Sequence, residues 1–117
     1  MASEADVEQF LREFFVKYGI FNILFVERTN QKNAQTLLQL EISPAKRREV
    51  IESIIAKDYV EGPINDVLYG GSPLWVFGKK IQKQELYIKI SYGQPNSSVI
   101  CISFHIAEHK MTYPFNK

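Results

Sequence analysis

One cysteine in 117 residues leaves no partner for an intramolecular disulfide and no basis for a multi-cysteine metal site. A reducing compartment is the simplest expectation. Cys101 sits in Val99-Ile100-Cys101-Ile102-Ser103-Phe104 and reads as a packed thiol rather than a nucleophile. Histidine is almost as scarce. His105 and His109 are the two, so a catalytic zinc site would need carboxylate help, and Glu108 is the only acid beside them in sequence; neither a metal nor another cofactor is expected. No apolar run approaches the roughly 20 residues that span a bilayer. The start, Met1-Ala2-Ser3-Glu4-Ala5-Asp6, is acidic and lacks the basic opening of a signal peptide. The expectation is a cytoplasmic protein with no membrane partner. Gly-x-Gly-x-x-Gly, the phosphate loop ending in Gly-Lys-Ser/Thr and His-Glu-x-x-His are all missing, which removes the common nucleotide and zinc-hydrolase signatures.

What is present is a globular composition. Hydrophobic residues make up 45% and charged residues 23%, with 8 Phe, 6 Tyr and 1 Trp. That excludes a disordered chain, and the length predicts one domain over residues 1–117. The net charge of +1 names no partner, but it is unevenly spread. Up to Phe77, 8 basic and 11 acidic residues leave −3; from Gly78 onward six lysines face Glu85 and Glu108, leaving +4. The basic part reads either as an anion-attracting face or as ordinary solvated lysines.

Periodicity predicts helices first and strands last. Ser3, with Asp6 three residues on, caps a helix over Glu4–Tyr18 with an apolar stripe of Val7, Phe10, Leu11, Phe14 and Phe15, and Gly19 stops it. Ile20–Val26 reads as a strand, Thr29–Asn33 as a turn, and Ala34–Leu40 as a short helix burying its leucines. Ser43-Pro44 starts a helix that runs through Ile55, with a further turn over Ala56–Val60. Gly62–Pro73 reads as a loop. Strands follow at Leu74–Gly78, Gln84–Ile90 and Val99–His105, and Tyr113-Pro114-Phe115 ends the chain as a docked apolar tail. The fold class is α+β, with N-terminal helices packed on a small antiparallel sheet.

The polar residues that stand out lie on the strands. If Leu86, Ile88 and Ile90 face the helices, Tyr87 and Lys89 face away, and His105 ends a neighbouring strand. Lys79 and Lys80 lie near the end of the preceding strand. Tyrosine, histidine and several lysines on one face suit metal-free cleavage of RNA: imidazole passes protons near neutral pH, lysine stabilises phosphorane charge, and tyrosine stacks on a base or donates a proton. The same residues read equally as an exposed strand aromatic, a hydrogen-bonded boundary histidine and solubilising lysines. Trp75 reads as core.

The ordered set Val50-Ile51, Asp58-Tyr59, Leu74-Trp75, Leu86-Tyr87-Ile88-Lys89-Ile90 and Val99-Ile100-Cys101-Ile102-Ser103-Phe104-His105 resembles the MqsR family of toxins from bacterial type II toxin–antitoxin modules. Asn33-Ala34 and Leu37-Leu38-Gln39-Leu40 resemble the family's Ala/Leu-rich helix, so the likeness spans Asn33 to His105. It implies a RelE-like fold and a metal-independent mRNA endonuclease neutralised by a cognate antitoxin, with the ribosome a further possible partner. It carries the family's catalytic tyrosine to Tyr87 and its C-terminal catalytic lysine to His105. The family's other lysine falls near Glu61, a charge reversal: the role passes to Lys57 or Lys79, or Glu61 serves as a general base. Val76 replaces the family's glutamine. In this reading Tyr87, His105, Lys79 and Glu61 are catalytic, while Lys80, Lys89, Lys57 and His109 bind RNA. The rivals are a non-catalytic RNA- or protein-binding module using the same sheet face, and a plain protein-interaction domain.

Overall fold

A computed structural model describes residues 1–28, 30–67 and 71–116. The opening helix α1 covers Glu4–Phe21, capped as expected: the Asp6 N–H donates to Ser3 Oγ (3.1 Å) and the Ser3 N–H to the Asp6 carboxylate (3.0 Å). It passes through Gly19, so neither the expected stop there nor a strand from Ile20 holds. The terminator is Asn22, whose backbone leaves the helical region at φ 71° and ψ −169° while its N–H still donates to the Tyr18 carbonyl (2.8 Å). Strand β1 is left with Ile23–Phe25. Helix α2 (Lys32–Gln39) buries Asn33 and Thr36; of the three leucines expected inside, Leu40 is buried just past its end and Leu37 is partly buried against the core, but Leu38 is 82% exposed. Of the turn expected before it, Thr29 lies outside the described residues.

Helix α3 (Pro44–Glu52) starts at Ser43, whose Oγ accepts from the Lys46 N–H (3.1 Å). It ends earlier than expected. Ala56–Asp58 form a single 3₁₀ turn, and Tyr59–Ile64 then form strand β2 where a helical turn and a loop were expected. Gly62 and Pro63 sit inside β2, which is tolerated because β2 is an edge strand. Of the expected loop, residues 68–70 lie outside the described residues.

Strands β3 (Leu74–Ile81), β4 (Gln84–Ser91) and β5 (Val99–Ile106) follow. Gln82 and Lys83, both at positive φ, make the two-residue hairpin joining β3 to β4. The sheet order is β1-β5-β4-β3-β2. The three expected neighbours β3, β4 and β5 are antiparallel as expected, and the unexpected β2 adds to β3 antiparallel; β1 joins β5 in parallel, so the sheet is mixed rather than purely antiparallel. The fold is α+β, with the helices before the main run of strands.

The core lies between α1 and one sheet face. Phe10 stacks on Trp75 at 4.5 Å and lies 6.2 Å from Phe77. Leu86, Ile88, Ile90 and Phe104 are fully buried. This confirms the alternation: with Leu86, Ile88 and Ile90 inside, Tyr87 and Lys89 take the opposite face. Helix α2 covers the half of β5 that β1 does not reach. Asn33 Nδ2 donates to the Ile102 carbonyl (2.9 Å) and its Oδ1 accepts from the Phe104 N–H (2.8 Å). Thr36 Oγ1 accepts from the Ile106 N–H (3.0 Å). Side chains of a helix thus stand in for a missing strand and close the edge.

Candidate active site

Register builds the site on the sheet face away from α1. Tyr87 pairs with His105 and Lys89 with Ser103, so the four side chains form two adjacent rows. The period of two puts them together. The Tyr87 and His105 rings stack at 5.2 Å, inclined by 17°. Lys89 Nζ lies 5.6 Å from the centre of the Tyr87 ring. Glu61 enters from β2, opposite Val76.

The face is a cleft rather than an open sheet. A cavity of about 640 Å³ lies over it, with the chain after β5 as one wall. That segment is pinned by Glu85: Tyr113 Oη donates to Glu85 Oε2 (2.7 Å) and the Met111 N–H to Oε1 (3.4 Å). Phe115 stacks on Tyr59 at 5.3 Å, so the apolar tail is docked as expected. Gly78 makes room for it. A Cβ on Gly78 would come within 2.8 Å of two Tyr113 ring carbons.

The electrostatics follow from this enclosure. His105 is 6% exposed. Its Nδ1 lies 3.0 Å from the Ile106 carbonyl oxygen, which can only accept. Nδ1 therefore carries the proton, and in the neutral ring Nε2 holds the lone pair. Burial first, and the nearby Glu61 charge second, push the Tyr87 hydroxyl above its ordinary pKa of 10.0. Tyr87 stays protonated near neutrality and acts as a donor. At the rim Lys32 donates to Glu108 (2.8 Å), a pairing with lysine that holds the Glu108 carboxyl below its usual range.

Five of the residues picked from sequence line this cavity: Tyr87, His105, Glu61, Lys89 and His109. Three do not. Lys79 alternates with Gly78 and takes the helix side, where its Nζ binds Asp58 (3.0 Å) and the Ser53 carbonyl (3.3 Å). Lys80 is exposed near the hairpin, paired in register with Glu85. Lys57 donates to the Phe115 carbonyl at 3.4 Å, outside the cavity. Ser103 and Lys32 were missed. Ser103 is two residues before His105 on one strand, so alternation carries its signal. Lys32 reaches the rim only through the tertiary docking of α2, and no local pattern reports that.

What the arrangement can do is proton transfer beside an anion. An imidazole with a directed lone pair, a protonated phenol and an ammonium share one partly enclosed space. Among the described residues no three His, Cys, Asp or Glu side chains converge as a metal-binding group would, and no helix is long and apolar enough to cross a membrane. Compared with known protein families, with curated proteins and with solved structures, the chain finds no match in any of the three.

Proposed function

We propose that this chain is a metal-independent endoribonuclease of the mRNA interferase type, the cytoplasmic toxin of a toxin–antitoxin pair. The observation that carries the proposal is the stacked Tyr87–His105 pair, with His105 Nδ1 committed to the Ile106 carbonyl and Lys89 alongside. The resemblance of the Tyr87-Ile88-Lys89 and Ser103-Phe104-His105 segments to the MqsR family supports the same reading.

In the proposed reaction His105 Nε2 takes the proton from a ribose 2′-hydroxyl. The 2′-oxygen forms a bond to phosphorus and the bond from phosphorus to the 5′-oxygen breaks. Lys89 stabilises the charge gathered on the non-bridging oxygens, and Tyr87 donates a hydrogen bond to one of them. His109, exposed at the rim of the cavity, returns a proton to the leaving 5′-oxygen. The products carry a 2′,3′-cyclic phosphate and a 5′-hydroxyl. Every group in this scheme is a side chain of the cleft, and no cofactor enters it.

The competing reading, a non-catalytic RNA- or protein-binding module on the same face, draws on Glu61. It places a carboxylate where the resemblance calls for a cation, and Lys79 does not enter the cavity to replace that cation. Induced expression in a bacterial host, followed by mapping of cellular RNA ends, separates the two. The nuclease reading predicts discrete new 5′-hydroxyl ends and arrested growth, both lost in a Tyr87→Phe/His105→Ala variant and reversed by a small neighbouring gene encoding the antitoxin. Arrest without new ends, or ends that the double variant still produces, contradicts it.

A further inference from the structure

A second, smaller cavity of about 290 Å³ opens beside the cleft. The two share Lys89 and Ser103, which line both. The walls of the smaller one are the apolar side chains of Ile64, Leu74 and Ile102. Ile102 and Ser103 are consecutive, and in a regular strand they would point to opposite faces. The register slip between β4 and β5 at Lys89/Ile90 is a bulge, and it brings both onto this face. The far end is closed by Arg28 and Asp66, whose ion pair spans 3.1 Å with Asp66 8% exposed. Asn65, exposed at the mouth, is the neutral amide among the lining groups.

We infer that this cavity receives the base of the nucleotide one step beyond the two that the scissile phosphate joins. The inference rests on the reading of the main cleft as an RNA site. Tyr87 and Lys89 stand side by side on β4, with Lys89 Nζ 5.6 Å from the Tyr87 ring centre, so one phosphate can meet both. Lys89 lines both cavities, so the strand that leaves the scissile phosphate held there runs directly on into the slot. The adjoining base leaves the stack and enters an apolar slot, where dispersion and area burial hold it. The Asn65 amide, which both donates and accepts, meets its edge. The bulge at Ile102 is what opens the slot. The substrate class is therefore a single-stranded RNA of at least three nucleotides rather than an isolated dinucleotide step.

The test uses RNA that cannot react, made with a 2′-O-methyl group at the attacking ribose. A dinucleotide is compared with two trinucleotides, one extended on the 5′ side and one on the 3′ side, by affinity and by methyl NMR of the full chain. The expected result is that one trinucleotide binds about tenfold tighter than the dinucleotide and alone shifts the methyl signals of Ile64, Leu74 and Ile102. Ile64→Trp, which fills the slot, should bring the ratio of trinucleotide to dinucleotide affinity to near one, and Asn65→Ala, at an exposed position, should lower it. Thermal melting checks that both variants fold. If the oligonucleotides shift His105 and Lys89 but neither extension adds affinity or moves those three methyls, the slot is overturned while the cleft stands. If no oligonucleotide binds, both fall. Slot binding by a protein that fails to cleave unmodified RNA upholds the slot and refutes catalysis.

Discussion

His105 owes the lone pair on Nε2 to a backbone carbonyl one residue away that takes the Nδ1 proton, and Tyr87 owes its raised pKa to burial and to Glu61. The second of these can be read out directly. Removing the Glu61 charge in Glu61→Gln should lower the Tyr87 pKa while leaving it above 10.0, because burial is the larger cause. Titration of the tyrosinate absorbance, difference-corrected with Tyr87→Phe, measures it; no change on substitution would remove Glu61 from the site's electrostatics. Gly78 is a second single-residue control, this time on space. Gly78→Ala drives a methyl into the Tyr113 ring and should cost about 1–3 kcal/mol. In a Tyr113→Ala background the same change should cost clearly less, a coupling that a double-mutant cycle by urea unfolding detects. Equal costs in both backgrounds would mean that the tail does not rest on Gly78.

At the scale of elements, the edge of β5 depends on two side chains of α2. Asn33 serves both the Ile102 carbonyl and the Phe104 N–H, groups that flank the cleft strand and have no strand partner there. Asn33→Ala leaves buried backbone groups unsatisfied and should destabilise the chain by about 2–4 kcal/mol, more than Thr36→Ala, which frees only the Ile106 N–H. Hydrogen exchange should quicken at Phe104 in the first variant and at Ile106 in the second. Protection unchanged at both would show that α2 does not close the edge. The same elements explain what was legible beforehand. The Ser3 and Ser43 caps and the alternation of Leu86, Ile88 and Ile90 are local patterns, and they gave two helix starts and the face carrying Tyr87 and Lys89. Asn22 overrode Gly19 as the end of α1 because helix packing, with Tyr18 9% exposed, outweighs the cost of one glycine. Gly62-Pro63 concealed β2, since turn residues on an edge strand carry no strand signature. Lys79 was misassigned by treating a strand end as one surface when its two faces diverge.

The whole molecule keeps several weak acids from ionising. Burial pushes the Cys101 thiol up to about 12 and the Tyr18 hydroxyl up to about 12, and it raises Tyr87, Tyr92 and Tyr113 as well. In the unfolded chain these groups ionise near 9.0 and 10.0. The folded state thus binds more protons as pH rises past those values, and stability falls with pH. Their contribution is complete below pH 9 and is lost progressively as pH climbs toward the folded values. Lys17, pushed down by burial, acts in the opposite sense. The midpoint of thermal unfolding should drop steadily from about pH 9 to 11, and Cys101→Ala should flatten the first part of that drop. A midpoint level to pH 11 would contradict the burial of these groups.

The charge asymmetry noted in the sequence resolves at this scale into a cleft with both signs. Lys32, Lys89 and Lys110 meet Glu61 and Glu108, so the surface is no uniform cation and the geometry of a few groups must carry any chemistry. The most direct test is cleavage of a defined single-stranded RNA by the purified protein in excess EDTA, with and without ribosomes, with product ends identified chemically. The account predicts discrete cuts bearing 2′,3′-cyclic phosphate and 5′-hydroxyl ends, reduced at least about 100-fold in His105→Ala while the variant's fold is retained. Intact RNA in both settings, or cuts that His105→Ala makes as fast as the parent, would contradict it.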